Sequence, residues 1–268
     1  MRILTIVATY NEAANIGRLV PEILRHVPSS TILVVDDNSP DGTGDVVRNL
    51  QTSDHRVQLL TRTAQRGYGH AMMAGLQHGI RAGYDIIATL DGDLSHDPTD
   101  LPRLIDELRS ADVAIGSRYI GGIRVLNWNV RRLLLSLGAN AYVRSLTGLE
   151  CVDCTSGFRA YRVSALQHLT PHTVASTGYA FLPELLFELG GVRIAEVPVC
   201  YTERRIGQSK MRKRVIAEAM FRPWILFCRR LVRSKRRTSS ASTISAEAVR
   251  RAEPALPPSA SPRSDAGP

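Results

Sequence analysis

Short apolar runs, each released into a polar loop and then a helical repeat, constrain the fold of this chain more than any other feature. Arg2–Ala8, Thr31–Val35, Val57–Leu60 and Ile86–Leu90 are apolar and rich in β-branched residues, as expected of strands buried in a parallel sheet. Between them lie helical patterns. The first runs through Ile16, Leu19, Val20, Ile23, Leu24 and Val27 to Pro28, the second reaches about Leu50, and the third runs from Gly67 to about Ala82. A further helix near Leu101–Leu108 precedes a strand at Val113–Ile115. This alternation predicts an α/β fold with a parallel, doubly wound sheet. Polar loops after the first, second, fourth and fifth strands then fall on one edge, where ligands of such sheets bind.

The stretch Ile86-Ile87-Ala88-Thr89-Leu90-Asp91-Gly92-Asp93-Leu94-Ser95-His96-Asp97-Pro98 marks that edge. Asp91 and Asp93 emerge just past the strand, and carboxylates one residue apart repel. A hard divalent cation, Mg²⁺ or Mn²⁺, relieves the repulsion, because it takes one or two protein carboxylates plus substrate phosphates. Gly92 lets the backbone approach a ligand closely. The same residues also read as an acidic turn with Asp97 or Thr99 capping the next helix, and both readings stand at this point. Gly67-x-Gly69-x-Ala71 follows the third strand and is not a full dinucleotide fingerprint, which excludes an NAD site. At a helix N-terminus it suits phosphate or ribose, with His70 beside it.

A net charge of +9 and a pI of about 9.8 favour anionic partners, whether phosphates, anionic lipid or nucleic acid. Cys151 and Cys154 form a lone C-x-x-C without a second pair at zinc-finger spacing, so buried, reduced thiols are expected rather than structural zinc. The chain enters a strand directly and has no run of eighteen apolar residues, so neither a signal peptide nor a transmembrane helix is expected. Val130–Thr147 reads as a basic amphipathic helix, Gly178–Phe181 leads into a helix with Glu184 and Glu188, and Val192–Tyr201 reads as a strand. Val215–Val232 reads as a last helix that Pro223 should kink or interrupt. From about Ser234 the chain is Ser, Ala, Pro and Arg without an aromatic residue, a composition that predicts disorder.

Read together, the motifs resemble a known family. Thr9-Tyr10-Asn11-Glu12, Asp36-Asp37-x-Ser39-x-Asp41-Gly42-Thr43, Asp91-Gly92-Asp93-Leu94-Ser95-His96 and Gly116-Ser117-Arg118-Tyr119 resemble the family 2 nucleotide-sugar glycosyltransferases of the GT-A fold. Gly121-Gly122, Asn127-Trp128, Thr155-Ser156-Gly157-Phe158-Arg159, Gly178-Tyr179-x-Phe181 and Glu203-Arg204-x-x-Gly207-x-Ser209-Lys210-Met211 narrow the resemblance to the polyprenol-phosphate (dolichol-phosphate) mannose synthases. It covers about residues 1–230, and the Q-x-x-R-W motif of processive members is missing.

The resemblance implies a GT-A (Rossmann-like), mostly parallel sheet flanked by helices over residues 1–212, an interfacial helix over 213–233 and a disordered tail over 234–268. It implies mannose transfer from GDP-mannose to dolichyl or polyprenyl phosphate, metal-dependent and with inversion. The matching base and ribose positions are Thr9, Tyr10, Glu12, Val35 and Asp37, and the metal and diphosphate positions are Asp91, Gly92 and Asp93. Ser95 stands where some members carry a glutamine metal ligand. Arg118, Arg132 and Ser136 match acceptor-phosphate positions, although pattern alone leaves open whether Arg131 or Arg132 points inward. Arg204 and Lys210 match a basic loop that closes over the diphosphates. A phosphate monoester, with a second pKa of about 6, is already an anion at neutral pH. Its use as nucleophile therefore calls for cations more than for a general base.

The lipid substrate implies peripheral association with the cytoplasmic side of a membrane. The means would be Met220, Phe221, Trp224 and Phe227 among arginines, or an integral membrane partner protein. Three alternatives compete. One is a related synthase using UDP-glucose or another nucleotide sugar. Another is a nucleotide-sugar binding protein without catalysis, against which Asp91, Asp93, Arg204 and Lys210 argue. The third, a nucleic-acid binder, is disfavoured because the basic tail lacks interleaved aromatic residues.

Overall fold

In the computed structural model, which describes residues 1–203 and 215–232, the first half winds as the alternation predicts. The order is β1 (Ile3–Thr9), α1 (Ala13–His26), β2 (Ser30–Asp36), α2 (Thr43–Ser53), β3 (Val57–Thr61), α3 (Tyr68–Arg81), β4 (Ile86–Asp91), a 3-10 turn (Pro98–Asp100), α4 (Leu101–Glu107) and β5 (Val113–Ser117). Then come β6 (Val125–Leu126), α5 (Val130–Thr147), β7 (Arg159–Arg162), α6 (Val163–Leu166), α7 (Phe181–Leu189), β8 (Ile194–Pro198) and β9 (Tyr201–Thr202). A last helix, α8, spans residues 215–232. Met1–Phe227 form one unit and Cys228–Pro268 a second, of which residues 228–232 are described and helical.

Seven strands form one sheet in the order β3-β2-β1-β4-β7-β5-β8, and β6 pairs with β9 in a separate two-stranded ribbon. β1 lies parallel between β2 and β4, pairing Thr9 with Asp36 and Ala8 with Asp91. Those registers bring the ends of three strands side by side on one rim. Both faces are covered. Leu4, Ile6, Leu33 and Ile87 pack under α3 and α7, whereas Ile3, Val7, Ile32 and Leu90 pack under α1 and α4. Continuous apolar runs are what a sheet covered on both faces requires.

β7 departs from the sequence reading, which assigned no strand there. It inserts antiparallel between β4 and β5, with Arg159 opposite both Thr89 and Ile115. A four-residue Arg-Ala-Tyr-Arg segment carries no apolar period to reveal it. The Arg159 side chain is fully buried, and its guanidinium donates to the carbonyls of Ser156, Leu182 and Cys154 at 2.7, 2.8 and 2.7 Å. Burial opposes the charge, yet the neighbouring groups, Tyr161 foremost, hold it above its ordinary pKa. Three oriented carbonyls supply the solvation that a buried cation needs.

Of the kink or interruption expected at Pro223, the interruption does not occur, since α8 continues through it. On the N-terminal side of the proline, Glu218 accepts the Thr177 and Gly178 amides at 2.5 and 2.9 Å. Arg222 grips the fully buried Glu184, with Nε donating at 2.9 Å. These tertiary anchors outweigh the one amide that proline removes. Residues 218, 222 and 226 face the protein, while Ile216, Met220, Phe221, Trp224 and Ile225 are exposed. Among the described residues no helix is long and apolar enough to cross a membrane.

Candidate active site

The rim after β1 and β2 is organised by Asp36 and Asp37. Asp36 accepts the Thr9 hydroxyl at 3.0 Å and the Ser39 amide and hydroxyl at 2.9 and 2.5 Å, which folds the loop after β2 back onto β1. Asp37 is buried, accepts the Gly67 amide at 2.7 Å and pairs with Arg62. Arg66 stands 5.2 Å over the Tyr10 ring and donates to its hydroxyl at 3.2 Å. Glu12 is buried and accepts from Asn15 at 2.8 Å. Val35 has no exposure and packs into the core, so its side chain supports the pocket from beneath.

The N-terminus of α3 closes this side. Gly69 donates its amide to Thr177 O at 2.9 Å, and a Cβ there would collide with Ser176 O, so only glycine permits the approach. The Tyr68 ring lies 5.1 Å from that of Tyr179. Burial first, then the Asp91 charge, pushes the Tyr68 phenol well above its ordinary pKa. A Cβ on Gly157 would come within 2.8 Å of the Tyr68 hydroxyl and 3.1 Å of Asp91 Oδ1. The Thr155–Gly157 turn therefore lies directly against the first aspartate.

Asp91 ends β4 and Asp93 follows two residues on, as the sequence predicts. The turn reading is realised as well, because Asp97 accepts the Thr99 amide at 2.9 Å and caps the 3-10 turn. Asp93 and Ser95 are buried, and Asp93 accepts the Ser95 amide at 3.2 Å. His96 is buried with Nε2 3.5 Å from Asp91 Oδ2, and its ring packs 5.0 Å from Phe158. Neither His96 ring nitrogen has a hydrogen-bond partner among the described residues. Two carboxylates and a hydroxyl make a hard-oxygen donor set. Among the described residues no group of three or more His, Cys, Asp or Glu could hold a metal alone. A hard divalent cation takes one or two carboxylates of such a set together with phosphate oxygens.

The acceptor-phosphate candidates gather on a second shelf. Arg118 is buried, and Nε and Nη2 donate to Asp153 at 2.7 and 2.6 Å, with Nη2 also reaching the Thr155 hydroxyl at 2.7 Å. Burial disfavours both charges, but the pairing outweighs it, raising the guanidinium and lowering the carboxyl from their usual values. The fork is thus largely committed to Asp153 instead of standing open. Arg132 is half-buried, stacks 4.3 Å over the Trp128 ring and pairs with Glu203 at 2.5 Å, whereas Arg131 is exposed. Ser136 meets the Tyr119 hydroxyl at 2.6 Å. Arg204 and Lys210 lie outside the described residues.

An aromatic wall joins the two shelves, and sequence reasoning missed its centre. Tyr201 packs edge-on against His96 at 5.1 Å and against Trp128 at 5.4 Å, and Arg118 lies 5.6 Å over its ring. Burial, then the charges of Asp91 and Asp93, raises its phenol above the ordinary value. Arg62, Arg66, Tyr68, Asp153 and Tyr201 carry no signal in their own short segments; only the strand registers bring them to the rim.

Comparison with known proteins agrees with this geometry. Residues 5–170 match the model of Glycosyl transferase family 2. An undecaprenyl-phosphate mannosyltransferase of Micrococcus luteus is 40% identical over 222 residues, 82% of this chain and 91% of that protein. A polyprenol monophosphomannose synthase of Mycolicibacterium smegmatis is 44% identical over 225 residues, 82% of this chain and 85% of that one. Among solved structures, glucosyl-3-phosphoglycerate synthase from Mycobacterium tuberculosis, in complex with Mn²⁺, UDP-glucose and phosphoglyceric acid, superposes with a TM-score of 0.62 at 19% identity. The match covers 83% of this chain and 79% of that one, a likeness of fold. The rim of paired aspartates, the mostly parallel sheet beneath it and the family match place this chain in glycosyl transferase family 2, as a glycosyltransferase of the GT-A fold.

Proposed function

We propose that the protein transfers mannose from GDP-mannose to the phosphate of a polyprenyl lipid, with inversion at the anomeric carbon. The observation that carries the reading is the pairing of two shelves on one rim. Asp91 and Asp93 offer hard oxygens, and Arg118, Arg132 and Ser136 offer cations and a hydroxyl, joined through Tyr201 and Trp128. The names of the mannosyltransferase relatives support the acceptor class.

The chemistry follows from charge. Thr9, Tyr10, Glu12, Val35 and Asp37 form the nucleoside end, with Arg62 and Arg66 beside them. Asp91, Asp93 and Ser95 would hold Mg²⁺ or Mn²⁺, with the diphosphate lying against Gly92. Such an ion, when bound, offsets the negative charge that grows on the leaving diphosphate. The acceptor anion must approach another anion; Arg118 and Arg132, each paired with a carboxylate, would meet it by giving it a share of the hydrogen bonds they now make to Asp153 and Glu203. The phosphate oxygen attacks the anomeric carbon as GDP departs, and no residue needs to take a proton from it. Arg204 and Lys210 would add charge from the loop after β9.

Peripheral attachment to a membrane is part of the reading. α5 carries Arg132 and Ser136 toward the site and leaves Leu134 and Leu135 at 62% and 75% exposure. Phe221 and Trp224 of α8 stand at 71% and 52%. Bare apolar side chains on the helix that seats the lipid phosphate suit a bilayer surface; the cytoplasmic side is where a nucleotide sugar is available.

The test is transfer of radiolabelled sugar to polyprenyl phosphate in membranes, with GDP-mannose and UDP-glucose in parallel. Label should enter lipid from GDP-mannose, and Asp93→Asn should reduce it at least 100-fold while the thermal midpoint holds. Transfer from UDP-glucose alone would favour a related glucosyl synthase, and full activity of Asp93→Asn would count against the metal role.

A further inference from the structure

The Gly178-Tyr179-x-Phe181 motif takes no part in the proposed transfer, yet the backbone at its start is gripped from two sides. The Thr177 and Gly178 amides donate to Oε1 and Oε2 of Glu218 on α8, at 2.5 and 2.9 Å, and the Ser176 amide donates to Glu184 of α7 at 3.0 Å. Two carboxylates thus hold three consecutive amides. The carbonyls of the same segment meet the start of α3. Thr177 O accepts the Gly69 amide at 2.9 Å, and a Cβ on Gly67 would stand 2.7 Å from Thr177 O. Gly178 is fitted as closely to α8, since a Cβ there would lie 2.8 Å from Glu218 Oε2 and 3.0 Å from Val215 Cγ1. The Gly67 amide in turn donates to Asp37 Oδ2 at 2.7 Å. Glu218 is therefore joined to Asp37 through two backbone segments in series, 177–178 and 67–69.

We propose that Glu218 is a positioning residue for the donor nucleotide: by holding the Thr177–Gly178 backbone against the start of α3, it sets where Gly67 and Asp37 stand and so where the nucleoside sits. Charge matters here as well as shape. A carboxylate offers one oxygen to each amide, and hydrogen bonds to a charged acceptor are stronger than those to a neutral one. A carboxamide of the same shape has one acceptor oxygen, and its NH2 group would face an amide N–H. One of the two amides then loses its partner and the segment shifts on α3. The acceptor shelf is carried by other elements, with Arg118 following β5 and Arg132 on α5. α8 touches α5 through the Tyr142 hydroxyl, which donates to Met220 O at 2.5 Å without involving the Glu218 carboxylate. The shift should therefore be felt on the donor side. The inference takes its donor class from the proposed transfer and adds a residue that lies behind the ligand contacts.

The experiment compares wild type, Glu218→Gln and Arg222→Met. Calorimetry titrates GDP, with UDP in parallel, in chelator so that no metal contributes. Steady-state kinetics vary GDP-mannose and polyprenyl phosphate in turn. In Glu218→Gln, GDP binding should weaken about 5- to 20-fold and KM for GDP-mannose should rise by a similar factor, with KM for the lipid phosphate within about twofold. Arg222→Met loosens the same helix at Glu184 and leaves the Thr177 and Gly178 amides on Glu218. It should lower the thermal midpoint at least as much as Glu218→Gln, yet keep GDP affinity within about twofold of wild type. Wild-type GDP affinity in Glu218→Gln would overturn the inference and leave the carboxylate a packing anchor. Equal rises in both KM values, or equal losses of affinity in the two variants, would also overturn it, since a general loosening of α8 would then suffice. A wild type that binds UDP in place of GDP, or transfers no mannose, would overturn the transfer reading alone, because the comparison of variants holds for whichever nucleotide binds.

Discussion

Arg131 and Arg132 are one residue and about 100° of helix apart, and that angle decides which of them meets the site. Arg132 lies along Trp128 and against Glu203, while Arg131 points to solvent. Replacing Arg132 with alanine should raise KM for polyprenyl phosphate about tenfold or more and leave KM for GDP-mannose within twofold, as steady-state kinetics with each substrate varied will show. Asp153 and Glu184 lend themselves to a pH test. Burial opposes their ionisation, but Arg118 holds the first below its usual value, and Arg222 with Ser176 does the same for the second. A carboxyl depressed in the folded state contributes stability above its unfolded pKa and loses it as pH falls through the folded one. Urea unfolding should therefore give constant stability from pH 7 to about 5 and a decline below about 4, a decline that Asp153→Asn should make shallower. The paired aspartates were legible in sequence because a strand ended on them. Asp153 was not, since its partner lies 35 positions away.

At the scale of elements, the parallel strands and their helices follow from apolar period, whereas β7 and α8 depend on partners. α8 is amphipathic, yet its packed face is polar at its anchors, with Glu218 on the Thr177–Gly178 amides and Arg222 on Glu184. The same loop lies against Gly69 at the start of α3, so the last helix braces the donor side of the site. Replacing Arg222 with methionine should destabilise the protein by roughly 3 kcal/mol, the low end for breaking a buried pair. The low end applies because the Ala175 amide and the Ser176 amide and hydroxyl still donate to Glu184. Denaturant midpoints at constant m-value will check this. Pattern read α8 as an interfacial helix from its apolar residues among arginines, and nothing within that segment signals the buried Glu184 that Arg222 meets.

For the molecule as a whole, one edge of the sheet carries the paired aspartates and the arginines of the candidate site, and two helices leave apolar side chains bare. Truncation before α8 would also remove Glu218 and Arg222, so surface substitutions test lipid attachment more cleanly. Phe221→Ser with Trp224→Ser should reduce sedimentation with anionic vesicles severalfold while the thermal midpoint holds, because both side chains are exposed; unchanged sedimentation would remove α8 from the membrane account. By itself the sequence determined the alternating strands and helices, the rim on which Asp91 and Asp93 emerge and the family, because period, turn residues and motif order are local properties of the chain. Tertiary structure alone decided that Arg118 is committed to Asp153, that Arg132 rather than Arg131 faces Trp128, and that Tyr201 stands between the two shelves. Those outcomes depend on which distant strands pair and in what register, and no window of sequence contains both partners.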